Sequence, residues 1–407
     1  HRYDTADYRT IDPMLGTEDD LRTLCAEAKK RGIHVILDGV FNHTGDDSRY
    51  FNRCGFFDTP GAYQSKESPW YDWFCFQHWP DKYDAWWGID TLPAVNENAP
   101  AYRDFIIRGE DSIIRHWLRC GADGWRLDVA DELPDDFIEE IRAAMEQEKP
   151  DSFLLGEVWE DGSNKIAYSR RRRYLLGRET HGLMNYPLRT ATLDYIRGGS
   201  AAAFRDTMEE QRENYPPAAF YSGLNILGTH DTPRILTLLG ADAIPDSKEA
   251  RAAYHLSPEN RQLAVRRLTL AAMLLYTFPG SPTLYYGDEA GMEGFEDPMN
   301  RRGFPWGRED RRLLALYRTL GRLRKERRSL QSGDITYLTA DGGLLVYRRT
   351  LDGESTYTAL NTGGTTRTVT LPWKNGFAMD AVSMQRFWVR NGELRIDLPP
   401  CDGVVLV

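Results

Sequence analysis

The sequence lacks the marks of several large protein classes. No apolar stretch approaches the ~18 residues of a membrane-spanning helix, and no secretory leader is legible at the start. The five cysteines (Cys25, Cys54, Cys75, Cys120 and Cys401) are odd in number and form no CxxC pair. That argues against a disulfide scaffold or a cysteine zinc site and fits a reducing compartment, the cytoplasm. No GxGxxG or GxxxxGK stretch lies between a strand and a helix, so no nucleotide fold is expected. There is no GxSxG elbow and no HExxH pair. An excess of positive charge is also missing. Lys plus Arg number 51 against 61 for Asp plus Glu, a formal net charge of −10, which disfavours nucleic acid as a partner. The one basic run, Arg170–Arg173, reads as a solvated helix face or loop rather than a phosphate patch.

What the chain does have is alternation. "TEDDLRTLCAEAKKRG" has helical periodicity, an acidic first turn and a basic end, as the helix dipole prefers, and it runs into the apolar "IHVILD". "AYRDFIIRGEDSIIRHWLRCG" reads as a helix before the strand "GWRLDV", and "LPDDFIEEIRAAMEQEK" as a helix before "SFLLGEV". Strands alternating with helices of this length predict parallel βα units. Seven strands are expected, near residues 4–11, 33–38, 124–128, 152–157, 182–186, 224–228 and 281–286. Seven suit an open doubly wound sheet, while a closed (β/α)8 barrel needs eight, and the pattern alone does not choose. Residues 44–100 interrupt the rhythm without a clean helix and are rich in Asp, Trp, Tyr and Phe, as in "SPWYDWFCFQHWPDKYDAWWGID". An irregular insertion this long is usually functional. After about residue 329 the character changes to short β segments with turns such as "DGG" and "RNGE", which predicts an antiparallel sandwich.

Four of the strands end in polar groups. These are "LDGVFNH" (Asp38, Asn42, His43), "WRLDVAD" (Arg126, Asp128), "LLGEVW" (Glu157, Trp159) and "LGTHDTPR" (His230, Asp231, Arg234). In a parallel barrel such ends converge on one face. Asp128, Glu157 and Asp231 in one cleft with Arg126 and the two histidines would push at least one pKa upward, which suits glycoside hydrolysis. One carboxylate attacks the anomeric carbon and another holds a proton for the leaving oxygen. Arg126 is expected to keep Asp128 ionised, and Glu157 in its apolar context to hold the proton. Blander roles are open for each: Asp38 as a structural partner of Arg126, Asp128 as half of a salt bridge, the histidines as cleft-edge hydrogen bonders. The abundant aromatics would suit sugar faces in such a cleft.

Taken together, "DGVFNH", "GWRLDVADE", "GEVWE" and "GTHD" resemble, in order, the four signature stretches of the alpha-amylase family of retaining glycoside hydrolases. "HRYDTADYRTIDPMLGT", "LPAVNENAP" and "LLGTHDTPR" look most like its cyclomaltodextrinase, neopullulanase and maltogenic amylase group, and "GSPTLYYGDEAG" like its last barrel strand. The resemblance implies a (β/α)8 TIM barrel formed by residues 1–43 and 101–328, an inserted domain at 44–100 after strand three, and a C-terminal β-sandwich at 329–407. On this reading "YDTADYRTID" is strand two. The first strand and the N-terminal β domain of the group are not in this chain, and a seven-stranded remainder with bare edges is expected not to fold alone. A homodimer would form through that N-terminal domain.

The resemblance also implies roles. Asp128 is the expected nucleophile, Glu157 the general acid and then base, and Asp231 the acid that holds sugar hydroxyls. Tyr3, His43, Arg126, His230, Trp159, Glu160 and Arg234 are expected substrate contacts, and Asp38 a structural acid. Glu160 stands where the group more often has His, and Asp131 where Asn is usual. Glu132 stands near the His that accompanies the central calcium of many amylases. No essential central calcium is therefore expected, although a structural calcium near Asn42 is conceivable; with the histidines spread across elements and no HExxH pair, no cofactor and no catalytic metal are expected either. The implied activity is hydrolysis of α-1,4-glucosidic bonds in cyclodextrins, maltodextrins, starch or pullulan, with transfer to sugar acceptors. The alternatives are an α-glucosyl transferase, an α-1,6-acting glucosidase, or more remotely a non-catalytic glucan-binding protein. The expected partner is an α-glucan, with neither nucleic acid nor membrane involved.

Overall fold

The computed structural model describes residues 2–167, 169–374 and 376–407; His1, which opens the first of the quoted stretches, lies outside them. The chain forms two compact units, 1–184 and 185–407. In the first, four parallel strands lie in the order β1 (Ile36–Gly39), β2 (Gly124–Leu127), β3 (Phe153–Gly156) and β4 (Gly182–Asn185). β2 is buried at every position, which explains its continuous apolar reading. The register sets Asp38 opposite Arg126, and Leu127 opposite Gly156. The polar residues that follow β1, β2 and β3 are thus carried to the same end of the sheet. β2 and β3 approach so closely at Gly124 that a Cβ there would lie 2.0 Å from the Phe153 carbonyl oxygen. β1 is an edge strand, and Leu24, Ile33 and Ile36 around it are exposed.

The helices that feed these strands start where their caps dictate. Thr17 and Asp20 form a capping box on Glu18–Lys30, with three acids in the first turn and Lys29 and Lys30 in the last, so backbone donors and dipole are both satisfied. The helix before β3, Asp135–Glu148, buries Phe137, Ile138, Ile141, Ala144 and Met145 on one face, the i, i+3, i+4, i+7 stripe of a core-facing helix. The expected single helix over 101–121 is broken. Pro100–Arg103 passes into a wide turn at 104–108, and the regular helix resumes only at Ile113–Arg119. At Gly109 the backbone turns extended, and its N–H reaches back to the Asp104 carbonyl at 2.8 Å.

The first expected strand is absent: residues 4–11 carry no strand. Asp7 Oδ1 accepts the Arg9 N–H at 2.9 Å, an Asx turn that competes with extended backbone. The carbonyls of Thr5 and Ala6 accept from Gly45 and Arg49 of the insertion instead of from a strand neighbour. The insertion itself holds only three-residue turns of helix and a minimal hairpin (76–78 with 82–83). Its stability comes from packed rings: Tyr50 on Trp73 at 5.1 Å, Phe51 on Phe74 at 4.9 Å and on Tyr83 at 4.7 Å. Much of the aromatic excess is therefore core of the insertion, where each ring buries a large apolar area.

The second unit begins at Asn185, whose side chain caps the helix Tyr186–Ile196. It contributes a short parallel pair, β5 (Leu224–Asn225) and β6 (Ser281–Pro282), the latter reached through the long helix Pro258–Thr277. Parallel strands alternating with helices give the chain a TIM-barrel-like core. After the helices Arg311–Glu326 and Arg328–Ser332 the chain turns wholly antiparallel. Strands 334–341, 344–351, 354–361 and 402–406 form one sheet, and 367–372 pairs with 393–398. The alternating burial of 393–398 is that of a sheet with one wet face. Its inward residues Leu394, Ile396 and Leu398 pack with Leu344, Val346, Leu371 and Leu406 in a sandwich core. Among the described residues no helix is long and apolar enough to cross a membrane.

Candidate active site

β2 delivers Arg126 and, just past its end, Asp128; β3 delivers Glu157 one residue past its end. The Arg126 guanidinium is the hub. Nη1 donates to Asp38 Oδ1 and to Asp128 Oδ1, both at 2.7 Å, and Nη2 lies 2.8 Å from Glu157 Oε2, an ion pair without hydrogen-bond alignment. Arg126, Asp128 and Glu157 are buried, whereas Asp38 is exposed. Burial works against the Arg126 charge, but Asp38, Glu157 and Asp128 outweigh it and push its pKa upward.

Asp128 does not behave as the arginine alone would dictate. Burial pushes its carboxyl up to about 7; Arg126 pulls the other way, while the charges of Asp38 and Glu157 add to the rise. Sequence reasoning foresaw that acids sharing a cleft raise a pKa, but expected Arg126 to spare Asp128. Its Oδ2 accepts no hydrogen bond among the described residues and is the oxygen left for chemistry. Glu157 is held more fully. Oε2 accepts the Val129 N–H at 3.0 Å and Oε1 the Trp159 indole N–H at 3.1 Å. The Val129 amide reaches Glu157 from a left-handed backbone, φ 47°, a conformation that is costly for a β-branched residue. No pattern in "RLDVADE" signals that strain.

Tyr3 donates its hydroxyl to Asp38 Oδ2 at 2.7 Å, and the Arg126 guanidinium lies 6.0 Å from its ring centre. Burial, and then the Asp38 charge, push the hydroxyl pKa upward, so it stays a donor. His43 donates from Nε2 to the Tyr3 carbonyl at 3.0 Å and stacks on Trp86 at 5.1 Å; burial lowers its pKa, which keeps it neutral near pH 7. Trp86 stacks in turn on Trp87, which is 80 % exposed and donates to Glu132 Oε1 at 2.9 Å. These two indoles escaped sequence reasoning, although "WWG" in an insertion after a strand end was the available signal. Trp159 is half exposed, and Glu160 turns to solvent in a 2.5 Å ion pair with Lys165. Of the basic run, Arg170 and Arg171 are exposed, but Arg172 is buried against Asp135 and Tyr174.

In the second unit, His230 Nε2 lies 3.2 Å from Asp231 Oδ2, and Arg301 Nη2 donates to Asp231 Oδ1 at 3.2 Å. Asn300 and Arg301 both donate to the His230 carbonyl. The "MNRR" stretch that supplies them carried no sequence signal. Arg234, an expected substrate contact, is wholly buried. It packs on the rings of Tyr285 and Tyr286 at 4.1 and 4.6 Å and pairs with Asp288 at 3.2 Å, so it supports the loop and offers sugar no surface.

Arg126, Asp128 and Glu157 thus lie at strand C-termini, the end of a TIM-barrel-like core where barrel enzymes carry their active residues. Residues 1–306 match the family described as "Alpha amylase, catalytic domain", and the chain belongs to the alpha-amylase family. Among curated relatives, the amylopullulanase of Thermoanaerobacter thermohydrosulfuricus is 37 % identical over all of this chain and 30 % of its own length. The cyclomaltodextrinase of Geobacillus thermopakistaniensis is 31 % identical over 98 % of this chain and 63 % of its own. The native debranching enzyme of Nostoc punctiforme matches with a TM-score of 0.82 at 30 % identity, over all of this chain and 82 % of that one. The chain thus spans 30 to 65 % of these curated relatives' lengths, and lies close to the cyclomaltodextrinase, neopullulanase and maltogenic amylase group.

Proposed function

We propose that this chain carries a retaining α-glucan hydrolase site that cleaves α-1,4-glucosidic bonds of cyclodextrins, maltodextrins, starch or pullulan, with transfer to sugar acceptors. The observation that carries it is the Arg126 fork: Asp128 and Glu157 lie against its two terminal nitrogens, at 2.7 and 2.8 Å. Carboxyls bridged by one guanidinium sit side by side, which favours the ~5–5.5 Å separation of retaining enzymes over the wider gap of inverting ones. The reaction calls for a proton on Glu157 and an ionised Asp128. Glu157 gives that proton to the glycosidic oxygen as Asp128 Oδ2 bonds to C1 and the C1–O bond breaks. Glu157 then takes a proton from water, the resulting hydroxide bonds to C1, and Asp128 leaves as carboxylate. Within the second unit Asp231, beside His230 and Arg301, would hold sugar hydroxyls, and within the first Tyr3, His43 and Trp159 would be further sugar contacts. Five free thiols support a reducing compartment, in line with the cytoplasm.

Proton NMR of the first turnovers should show the α-anomer, and Asp128→Asn and Glu157→Gln should each lower kcat by more than about a thousandfold. A β-anomer, or either variant within tenfold of the parent, would overturn the roles. The likeness to amylopullulanases and to a debranching enzyme favours α-1,6 cleavage as the second reading. Pullulan separates the two, since panose reports α-1,4 and maltotriose α-1,6 cleavage.

A further inference from the structure

We propose that Glu18, His116 and Cys120 form a binding site for one zinc-class divalent cation, separate from the carboxyl cluster at the strand ends. His116 and Cys120 lie one turn apart at the end of the helix Ile113–Arg119, Cys120 being its C-cap, and Glu18 opens the helix Glu18–Lys30. Glu18 Oε2 is 3.1 Å from His116 Nε2, and Cys120 Sγ is 3.7 Å from the same nitrogen. All three ligand atoms fall within 4.8 Å of one another. Tetrahedral zinc with bonds of ~2.0–2.3 Å needs ligand atoms about 3.3–3.6 Å apart, and the two separations from His116 Nε2 lie within a few tenths of an ångström of that range.

A second observation points the same way. Behind the ring, His116 Nδ1 faces Asp111 Oδ1 at 3.6 Å, and a carboxylate on the far nitrogen is what orients metal-binding histidines. The ring is further fixed edge-on against Trp117 at 4.8 Å. One sulfur, one nitrogen and one oxygen select zinc or cobalt over calcium or magnesium, which want oxygen alone. Access exists, because the His116 and Glu18 side chains are 20 % and 38 % exposed above the buried Cys120. Arg22 occupies Glu18 Oε1 at 2.6 Å and leaves Oε2 to the site. Three protein ligands leave a fourth position for water.

The rival is a plain hydrogen-bond chain from thiol to imidazole to carboxylate. Cobalt(II) titrated into chelator-treated protein distinguishes the two. One equivalent should bind with a near-ultraviolet thiolate-to-cobalt band, and zinc should displace it and raise the melting temperature. Cys120→Ser should abolish the band, and Glu18→Gln, on the exposed side and safe for folding, should weaken binding at least tenfold. Cys54→Ser, at an exposed thiol, should change nothing. Absence of the band at millimolar cobalt, its survival in Cys120→Ser, or unchanged affinity in Glu18→Gln would overturn the site.

Discussion

Arg126 holds three acids with one charge, and the balance among them sets the pH behaviour of the site. Burial pushes Asp128 up to about 7, with Asp38 adding to the rise. A nucleophile must be ionised, so kcat/KM should fall as pH drops below about 7. Asp38→Asn removes a like charge, lowers the Asp128 pKa and should move that acid limb to lower pH, at some cost in kcat because Asn keeps only one of the two oxygens that accept from Tyr3 and Arg126. A pH–rate profile of the variant checks the sign; an upward shift would mean that Asp38 orders Arg126 more than it repels Asp128. Val129 is the other residue-scale determinant. Its left-handed φ costs ~1–3 kcal/mol, which Val129→Gly relieves while giving up chain entropy and a half-buried side chain. Chemical denaturation should find stability within about 1 kcal/mol of the parent, whereas kcat should drop as the amide that positions Glu157 loosens.

Elements carry these groups only as well as they pack. At Gly124 an added Cβ would lie 2.0 Å from the Phe153 carbonyl oxygen, and that neighbour is backbone in the adjacent strand. Gly124→Ala should therefore cost more than about 2 kcal/mol by forcing β2 and β3 apart. Gly303→Ala, where nothing lies within 4 Å of the added carbon, should stay within about 0.5 kcal/mol. Urea unfolding of the pair gives the contrast. The same elements show what was legible beforehand. β2 and β3 announce themselves because a run buried on both faces has no polar alternation, and the helix Glu18–Lys30 because its capping box and end charges are local. Residues 4–11 mislead because Thr5, Tyr8, Thr10 and Ile11 favour a strand while Asp7 turns the backbone locally. The break at Gly109–Ser112 hides inside an otherwise helical period. Arg126, Asp128 and Glu157 are readable as charge at the end of apolar strands, but the pKa of Asp128 depends on Asp38, ninety residues upstream. The Glu18–His116–Cys120 cluster is likewise invisible to a search for close cysteine pairs, since two of its members meet the third only through packing.

For the molecule as a whole, buried acids outweigh the usual surface pattern. Burial pushes Asp128 and Asp288 up to about 7, and Glu97 and Glu179 up to about 8. Unfolded carboxyls titrate near ~4, so between roughly pH 4 and 8 the folded chain binds more protons than the unfolded one, and stability falls as pH rises through that window. Acids held low by arginine, such as Glu140 beside Arg108 and Glu148 beside Arg119, work the other way and lose their contribution only as pH falls below ~4. The melting temperature should therefore peak in mild acid and decline toward pH 9. Glu179 isolates the cause. It is wholly buried, neither carboxyl oxygen has a hydrogen-bond partner among the described residues, and Arg173 comes only to 3.9 Å. Glu179→Gln keeps the shape and removes the charge. Its melting temperature should match the parent at pH 5, where Glu179 is protonated, and exceed it by several degrees at pH 9, where the parent must ionise an unpartnered carboxyl in the core. Melting curves of the two proteins that run parallel from pH 5 to 9 would show that Glu179 stays protonated throughout or finds a counter-charge when it ionises.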